Sequence, residues 1–331
     1  MNSFKAWRIP YQGGEAEGGV NTLQAGDLPE GDVLIKAAYS GLNYKDALAV
    51  TGKGKIARQF PLTPGIDVAG EVVSDRCGQF SPGDKVLVTG CGMGEVHDGG
   101  FAEYVQVPAD WVVPLPSAYT PRQAMALGTA GFTVALALIR MEAAGQRPER
   151  GDVVVTGASG GVGSLAVDLF SSAGYNVLAV SGKPDAGDYL RKLGASEVVT
   201  PDALELGSRP LDKARFAGVV DTVGGELLSG LLAHVQEYGN VAAIGLAGGI
   251  KLETTVMPFI LRGVSLIGVS TPNCPREQLM ESWRRLGDDL RPSDPEAIIS
   301  SEIGLDGLRV ASQELLERKV RGRILVHVSD E

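Results

Sequence analysis

The sequence predicts an α/β protein in which a doubly wound parallel sheet is combined with a separate β-rich domain. From about residue 150, short β-branched runs alternate with amphipathic helical stretches, an order typical of a parallel sheet with helices on both faces. Before residue 120, short strands with turn signals recur every ~8–12 residues, which favours a compact barrel-like β domain. A chain of 331 residues suits two domains of the usual ~100–200 residues.

The composition is that of an ordinary globular protein, with 44% apolar and 21% charged residues. We find no apolar run near the ~20 residues of a membrane span and no apolar secretion signal at the N-terminus. The net charge of −10 argues against non-specific nucleic-acid binding, and three scattered cysteines favour a reducing compartment. We therefore expect a cytoplasmic protein with no nucleic-acid or membrane partner.

The elements follow in order from alternation, apolar runs and turn residues. Four strands are predicted before residue 120, at 33–39, 64–73, 81–88 and 101–107. The alternating region is predicted as strands 153–156, 176–180, 197–199, 217–220, 240–244 and 264–269, with helices 162–173, 185–193 and 226–235. Two helices, 276–286 and 306–320, and a strand, 323–328, are predicted to fold back onto the β domain. The predicted boundaries are therefore 1–122 and 273–331 for the β domain and 123–272 for the inserted domain.

A long apolar helix is predicted over 122–141, begun by Thr120 and Pro121 as N-cap and first helical residue. Gly128 and Gly131 lie inside it, although each glycine costs about 1 kcal/mol relative to alanine in a helix. We interpret this cost as a sign that another group approaches the helix backbone closely.

A glycine-rich turn follows the strand 153–156, at Gly157-x-x-Gly160-Gly161-x-Gly163. The helix after it has one apolar face, and its N-terminus offers unpaired N–H groups to a pyrophosphate. We expect the amides of Ser159, Gly160, Gly161 and Val162 to bind a dinucleotide. The alternative interpretation is a tight turn without a ligand.

Six ordered blocks resemble the medium-chain dehydrogenase/reductase superfamily on its quinone-oxidoreductase-like side. They are Ser40-Gly-Leu-Asn-Tyr-Lys-Asp46, Pro64-Gly-Ile-Asp-Val-Ala-Gly70, Pro82-Gly-Asp-Lys-Val86, Gly99-Gly-Phe-Ala-Glu-Tyr104, Gly128-Thr-Ala-Gly-Phe-Thr133 and the glycine turn. Three further blocks, at 52–55, 245–249 and 255–262, resemble the acrylyl-CoA reductase branch. The resemblance implies a Rossmann sheet inserted in a GroES-like β-barrel catalytic domain.

The resemblance also implies an activity, the NADPH-dependent reduction of acrylyl-CoA to propionyl-CoA. Two alternatives remain open: an NADPH quinone or enone reductase, and a non-catalytic NADPH-binding protein with a structural or regulatory role. Zinc-dependent members carry a Cys where this chain has Ser40 and a Gly-His-Glu where it has Gly65-Ile66-Asp67. Zinc requires three or four N, S or O ligands, so we expect no metal.

The cofactor preference is predicted from the second strand of the inserted domain. It ends in Ser181-Gly182-Lys183 without the carboxylate that selects NAD, and a hydroxyl and an ammonium suit a 2′-phosphate. A solvated lysine is the alternative, and Tyr189 and Arg191 are further candidates for this pocket. By resemblance, Thr129, Leu246 and Ile260 are also expected to contact NADPH.

The expected catalytic residues also come from the resemblance, which places Asn43 and Tyr44 near the nicotinamide. Reduction of an unsaturated thioester develops charge on the thioester oxygen, so the site needs hydrogen-bond donors. We expect Tyr44 to be a donor or proton relay, assisted by Asn43 and organised by Asp67. Packing of the barrel is the alternative role for Tyr44.

A local basic cluster in this acidic chain consists of Lys53, Lys55 and Arg58. We expect it to meet the phosphates of the acyl-CoA substrate, with a solvated basic loop as the alternative. The apolar strand 264–269 is predicted at a sheet edge, where an unpaired strand is a hazard. Members of the superfamily often pair such edges, so we expect a homodimer.

Overall fold

The computed structural model describes residues 3–11 and 18–329 and divides the chain into two compact units. The first unit comprises residues 1–132, 271–287 and 295–331, and the second comprises 133–270 and 288–294.

The first unit is built on a seven-stranded sheet with the order β14-β15-β3-β4-β5-β7, in which β6 also pairs with β3. A separate antiparallel pair joins β1 to β2. Buried apolar side chains from both chain ends share one core, since Phe4 and Ile324 belong to the same cluster. The strands are β1 (Ser3–Arg8), β2 (Gly19–Gln24), β3 (Val33–Leu42), β4 (Asp67–Asp75), β5 (Lys85–Thr89), β6 (Tyr104–Val107), β7 (Val113–Pro114), β14 (Ile299–Ile303) and β15 (Arg323–His327).

Among the described residues, three α-helices lie in the first unit, and a fourth begins there. Helix α1 (Tyr44–Thr51) follows β3 directly and packs against α8 (Leu308–Leu316), and α7 (Arg276–Gly287) contributes the buried Trp283. Helix α2 (Pro121–Ala143) contains the boundary between the units. Its backbone is not helical at Gly128, where φ is 50° and ψ is −150°.

The second unit contains a six-stranded, all-parallel sheet with the order β10-β9-β8-β11-β12-β13. This confirms the predicted doubly wound sheet. Its strands are β8 (Val153–Thr156), β9 (Val177–Val180), β10 (Glu197–Val199), β11 (Phe216–Asp221), β12 (Val235–Ala243) and β13 (Ser265–Gly268). Its helices are α3 (Gly161–Ser172), α4 (Gly187–Lys192), α5 (Gly225–Leu232) and α6 (Met257–Arg262).

Helix α2 corrects the expectation that no segment is long and apolar enough to cross a membrane. Its most apolar window has a mean hydropathy of 1.6, but 83% of that window is buried inside the protein. Core helices of soluble proteins combine length, apolar composition and burial in this way. Gly128 and Gly131, which lower the intrinsic helix propensity, both lie within α2.

Candidate functional site

The strand order of the second unit reverses between β8 and β11, and ligands of open α/β sheets bind beyond the carboxyl ends of the strands at such a point. The Thr156 hydroxyl donates to Oδ1 of Asp221 at 2.7 Å, and the Thr222 amide donates to Oγ1 of Thr156 at 3.0 Å. Oδ2 of Asp221 accepts from the Gly224 amide at 2.8 Å. One buried carboxylate therefore joins the two loops, and its burial raises the pKa of Asp221.

Two glycines of the turn are required for steric reasons. Gly157 has a φ of 58°, and a Cβ there would lie 2.4 Å from Oγ1 of Thr222. A Cβ on Gly163 would lie 2.2 Å from the carbonyl oxygen of Gly157. The turn and helix α3 therefore meet backbone to backbone, which brings the amides of the first helical turn, without intrahelical partners, to the switch point. This is the geometry that a pyrophosphate requires.

A cavity lies beside the end of β9, with a volume of about 320 Å³. Ser181 and Lys183 line it, as expected for a 2′-phosphate pocket, and so does Arg191. The Ser181 hydroxyl donates to Oγ of Ser159 at 3.0 Å and accepts from the Lys183 amide at 3.2 Å. Tyr189 is not among the cavity-lining residues given by the structure. The cavity and the glycine turn are thus linked through two buried serines, and these residues fit NADPH.

The two remaining residues expected at the cofactor, Leu246 and Ile260, are exposed in the second unit. Leu246 is 63% exposed, in the segment after β12, and Ile260 is 73% exposed, on α6. Further exposed apolar residues follow β12, on the connecting segment, on α6 and on β13, namely Ile250, Leu252, Val256, Met257, Leu261 and Leu266. The specific role of each residue stays a prediction.

In the first unit, the predicted residues Asn43, Asp67 and Thr129 meet in one buried hydrogen-bond network. Nδ2 of Asn43 donates to Oδ2 of Asp67 at 2.7 Å. The Thr129 hydroxyl donates to Oδ1 of Asp67 at 2.5 Å, and the Thr129 amide donates to the same oxygen at 2.9 Å. Ser40 also belongs to this network, because its hydroxyl donates to the Asp67 carbonyl oxygen at 2.6 Å.

The close approach expected at Gly128 is made by the Asp67 carboxylate. A Cβ on Gly128 would lie 2.5 Å from Oδ2 of Asp67 and 3.0 Å from Nη2 of Arg323. Gly131 has a different neighbour, because its Cβ would lie 2.8 Å from Cβ of Leu127 on the same helix. The break in α2 therefore makes room for a buried ion pair.

Two residues of this network, Asp46 and Arg323, were not singled out in the sequence. Oδ2 of Asp46 accepts from the Asn43 amide at 2.9 Å, and Oδ1 accepts from the Ile66 amide at 2.9 Å. Nη1 of Arg323 donates to Oδ1 of Asn43 at 2.8 Å, and Nη2 lies 3.6 Å from Oδ2 of Asp67. Two features of the sequence could have pointed to these residues: the Asn-x-x-Asp capping pattern for Asp46, and an arginine at the start of an apolar strand for Arg323.

Burial shifts the pKa of each charged group in this network. Desolvation, reinforced by the charge of Asp67, raises the pKa of Asp46 to about 7. Desolvation also raises the pKa of Asp67, opposed by Arg323 and by hydrogen bonds from Thr129 and Asn43. Burial lowers the pKa of Arg323, and the two carboxylates oppose this shift. The site holds two carboxyl groups for one guanidinium.

Tyr44 begins helix α1 and is 49% exposed, so its ring is only half covered by the protein. Lys53, Lys55 and Arg58 are all exposed beyond the other end of α1. Lys53 lies near enough to Glu317 to lower the pKa of that carboxyl, although Lys319, 2.5 Å from it, has the larger effect. The basic cluster is therefore on the surface of the first unit.

No group of three or more His, Cys, Asp or Glu side chains is arranged to hold a metal ion within residues 3–11 and 18–329. Ser40 and Ile66 are both buried and offer no soft or imidazole ligand. The absence of zinc stays a prediction from these residues.

Comparison with known proteins identifies both units. Residues 29–117 match the alcohol dehydrogenase GroES-like domain, and residues 161–287 match the zinc-binding dehydrogenase family. The chain is 47% identical over 326 residues to the probable acrylyl-CoA reductase AcuI of Escherichia coli, covering 98% of this chain and 100% of that protein. These matches confirm the expected combination of a GroES-like domain with a Rossmann-type sheet.

Solved structures agree with this assignment. The yhdH oxidoreductase from Salmonella enterica in complex with NADP is 47% identical, with a TM-score of 0.94, covering 98% of this chain and 100% of that one. Bacillus subtilis yhfP with NAD bound is 43% identical, with a TM-score of 0.95, covering 99% of this chain and 100% of that one.

Proposed function

Because the chain belongs to the medium-chain dehydrogenase/reductase family, we propose that it is an NADPH-dependent oxidoreductase that reduces the C=C bond of acrylyl-CoA to propionyl-CoA without a metal. The observation that carries this proposal is the 47% identity to a probable acrylyl-CoA reductase across 98% of the chain. The NADP complex of a 47% identical relative supports the cofactor.

NADPH, when bound, supplies the hydride, and the second unit holds it. The amides of Ser159, Gly160, Gly161 and Val162 bind the pyrophosphate at the N-terminus of α3. Ser181, Gly182 and Lys183 bind the 2′-phosphate. The Ser159–Ser181 hydrogen bond supports this proposal, because it couples the two phosphate sites. Thr129, Leu246 and Ile260 are proposed as further cofactor contacts.

The first unit provides the groups that act on the acyl substrate. A thioester enolate oxygen requires a hydrogen-bond donor as charge develops, and the half-exposed Tyr44 is proposed as that donor or as a proton relay. Both amide hydrogens of Asn43 point at buried carboxylates, to Asp67 at 2.7 Å and Asp46 at 3.1 Å. Asn43 therefore assists Tyr44 by positioning it, and Asp67 organises Asn43 and Thr129.

The basic cluster Lys53, Lys55 and Arg58 is proposed to bind the CoA phosphates. Helix α1 has eight residues, so its two ends are about 12 Å apart at 1.5 Å per residue. A CoA ester whose acyl group lies at Tyr44 would extend its pantetheine arm along this helix. The exposure of all three cations supports the proposal.

A double charge reversal, Lys53→Glu with Lys55→Glu, tests this phosphate site. We expect the KM for acrylyl-CoA to rise about 10-fold, which corresponds to 1.4 kcal/mol, and the KM for a benzoquinone to stay the same. Lys5→Glu, at an exposed position on β1, is the matched control. An equal effect on both acceptors would contradict the phosphate site.

We also propose that the enzyme is a cytoplasmic homodimer joined along β13. This strand is the edge of the parallel sheet, and the apolar residue Leu266 on it is exposed. An apolar edge without a partner promotes aggregation. Light scattering should give the mass of two chains, and Leu266→Lys should give one chain if the edge forms the interface.

We propose domain boundaries with this assignment. The catalytic domain comprises residues 1–122 and 273–331, and the NADPH-binding domain comprises residues 123–272.

Three acceptors separate the proposed activity from its alternatives. NADPH oxidation is measured with acrylyl-CoA, crotonyl-CoA and a benzoquinone under the same conditions. The proposal expects the highest kcat/KM with acrylyl-CoA. A preference for the benzoquinone would instead indicate a quinone reductase, and tight NADPH binding without turnover of any acceptor would indicate a non-catalytic binding protein.

A further inference from the structure

Arg323 is a charged residue at the first position of an apolar strand, and its side chain is buried. Its relative exposure is 3%, and residues 324–326 after it are buried apolar positions of β15. A guanidinium is costly to remove from water unless its donors are used. The contacts of Arg323 therefore show what the arginine is for.

The guanidinium joins three segments of the first unit. Nη1 donates to Oδ1 of Asn43 at 2.8 Å, at the start of α1. Nε donates to the carbonyl oxygen of Ala126 at 3.2 Å, in α2. Nη2 faces Oδ2 of Asp67 at 3.6 Å, at the start of β4.

Two glycines leave the space that this ion pair occupies. A Cβ on Gly41 would lie 2.6 Å from Nη2 of Arg323, and a Cβ on Gly128 would lie 2.5 Å from Oδ2 of Asp67. A side chain at either glycine would force a charged group of the pair to shift. The local sequence of β3 and the break in α2 thus both accommodate the pair.

Hydrogen bonds hold Asn43 at its backbone amide and at both polar atoms of its side chain. Its Oδ1 accepts from Arg323, its Nδ2 donates to Asp67 and Asp46, and its backbone amide donates to Asp46. Asn43 is the N-cap of α1, with a capping box to Asp46, and Tyr44 is the first helical residue. The direction in which Tyr44 leaves the backbone is therefore set by this network.

We propose that Arg323 and Asp46 are positioning residues, which hold Asn43 and so fix Tyr44 at the start of α1 for the reaction. This inference rests on the proposed function insofar as Tyr44 is taken as the group that acts on the substrate. Neither residue contacts the substrate in this account.

The charge of the cluster follows from its members. Within the part of the chain that the structure describes, the charged groups that face Asp46 are Asp67 and Arg323. One guanidinium balances one carboxylate, so a proton on Asp46 leaves the cluster neutral. Because burial raises the pKa of Asp46 to about 7, this proton is lost near neutral pH. The ionised carboxylate then accepts more strongly from the Asn43 and Ile66 donors, whose hydrogen bonds lower the pKa of Asp46, and its hold on Asn43 tightens.

Two variants and one control test the inference. Arg323→Lys keeps the charge but loses the planar fork that reaches two partners. Asp46→Asn removes the titrating proton at nearly the same volume. Arg122→Gln is the control, because Arg122 forms ion pairs with Glu296 and Glu302 on the surface of the same unit.

For Arg323→Lys we expect kcat with acrylyl-CoA to fall about 100-fold, as for a reacting group displaced by about 1 Å. The dissociation constant of NADPH should change less than about two-fold, since the glycine turn lies in the second unit. Hydrogen exchange of the segment 41–51 should become faster. Arg122→Gln should change neither kcat nor this exchange.

For Asp46→Asn the decisive readout is the pH profile. Wild-type kcat should increase as the pH rises through about 7, because the ionised Asp46 holds Asn43 more tightly, and the variant should lack this increase. Identical profiles for both proteins would overturn the role of Asp46. Wild-type kcat and wild-type exchange in Arg323→Lys would overturn the role of Arg323.

The outcomes also separate this inference from the proposed function. If the wild type does not reduce acrylyl-CoA, the proposed function fails, and exchange over 41–51 decides the positioning role alone. If Arg323→Lys does not fold, the exchange of Asp46→Asn decides it. After correction for the intrinsic base-catalysed rate, the protection of 41–51 should rise between pH 6 and pH 8 in the wild type and should stay constant in that variant.

Discussion

Replacement of Gly128 by alanine should destabilise the first unit strongly. The residue has a φ of 50° and a ψ of −150°, a conformation in which a non-glycine residue costs about 1–3 kcal/mol. The added Cβ would also lie 2.5 Å from Oδ2 of Asp67, so the carboxylate must move away from its donors. Losing one hydrogen bond to a charged group costs about 1.5–3 kcal/mol.

Together these effects predict a loss of about 2.5–6 kcal/mol in the free energy of unfolding. Domains have only about 5–15 kcal/mol in total. Tryptophan fluorescence during urea unfolding is a selective assay, because the three tryptophans, Trp7, Trp111 and Trp283, all lie in the first unit.

Gly304→Ala is the matched control for this measurement. Gly304 lies in the same unit, has a φ of −88°, and would place its Cβ in open space. We expect its unfolding free energy to stay within about 1 kcal/mol of the wild type. A Gly128→Ala protein as stable as this control would refute the steric account of the break in α2.

Three further predictions follow from the site. The folded pKa of Asp46 is about 7 and its unfolded value is 3.8, so the folded state holds an extra proton between these pH values. The unfolding free energy of the first unit should therefore fall by about 4 kcal/mol as the pH rises through this window. In urea unfolding measured at several pH values, Asp46→Asn should reduce this slope. Lys183→Ala should raise the KM for NADPH about 10- to 100-fold through the loss of a charged contact to the 2′-phosphate, while steady-state kinetics with NADH should be unchanged. Tyr44→Phe should lower kcat with acrylyl-CoA about 100-fold at an unchanged melting temperature, and an unchanged kcat would make the tyrosine a structural residue only.

The parallel sheet was predictable because its signals are local. Each buried strand is a short apolar run, and the predicted ranges 153–156 and 197–199 coincide with β8 and β10. The helix before β15 was predicted too long, at 306–320, because α8 covers only Leu308–Leu316. The residues at the C-terminal end of the predicted range are mostly polar, so no apolar periodicity indicates where the helix ends.

The partners of the buried network were not predictable in this way. The cost of Gly128 in a helix indicated a close neighbour, but that neighbour is Asp67, which is brought near by tertiary folding. Arg323 reaches Asn43 only because β15 pairs with β3. Thr156 and Asp221 meet because β8 and β11 are adjacent, although 65 residues separate them. Long-range pairing, rather than local pattern, decides each contact.

Transfer of deuterium from labelled NADPH tests the central claim most directly. The protein is incubated with acrylyl-CoA and NADPH deuterated at C4 of the nicotinamide, and the product is analysed by mass spectrometry and NMR. The account predicts propionyl-CoA with one deuterium at Cβ and a solvent-derived proton at Cα. NADPH consumption without propionyl-CoA, or propionyl-CoA without deuterium at Cβ from either C4 position, would contradict it.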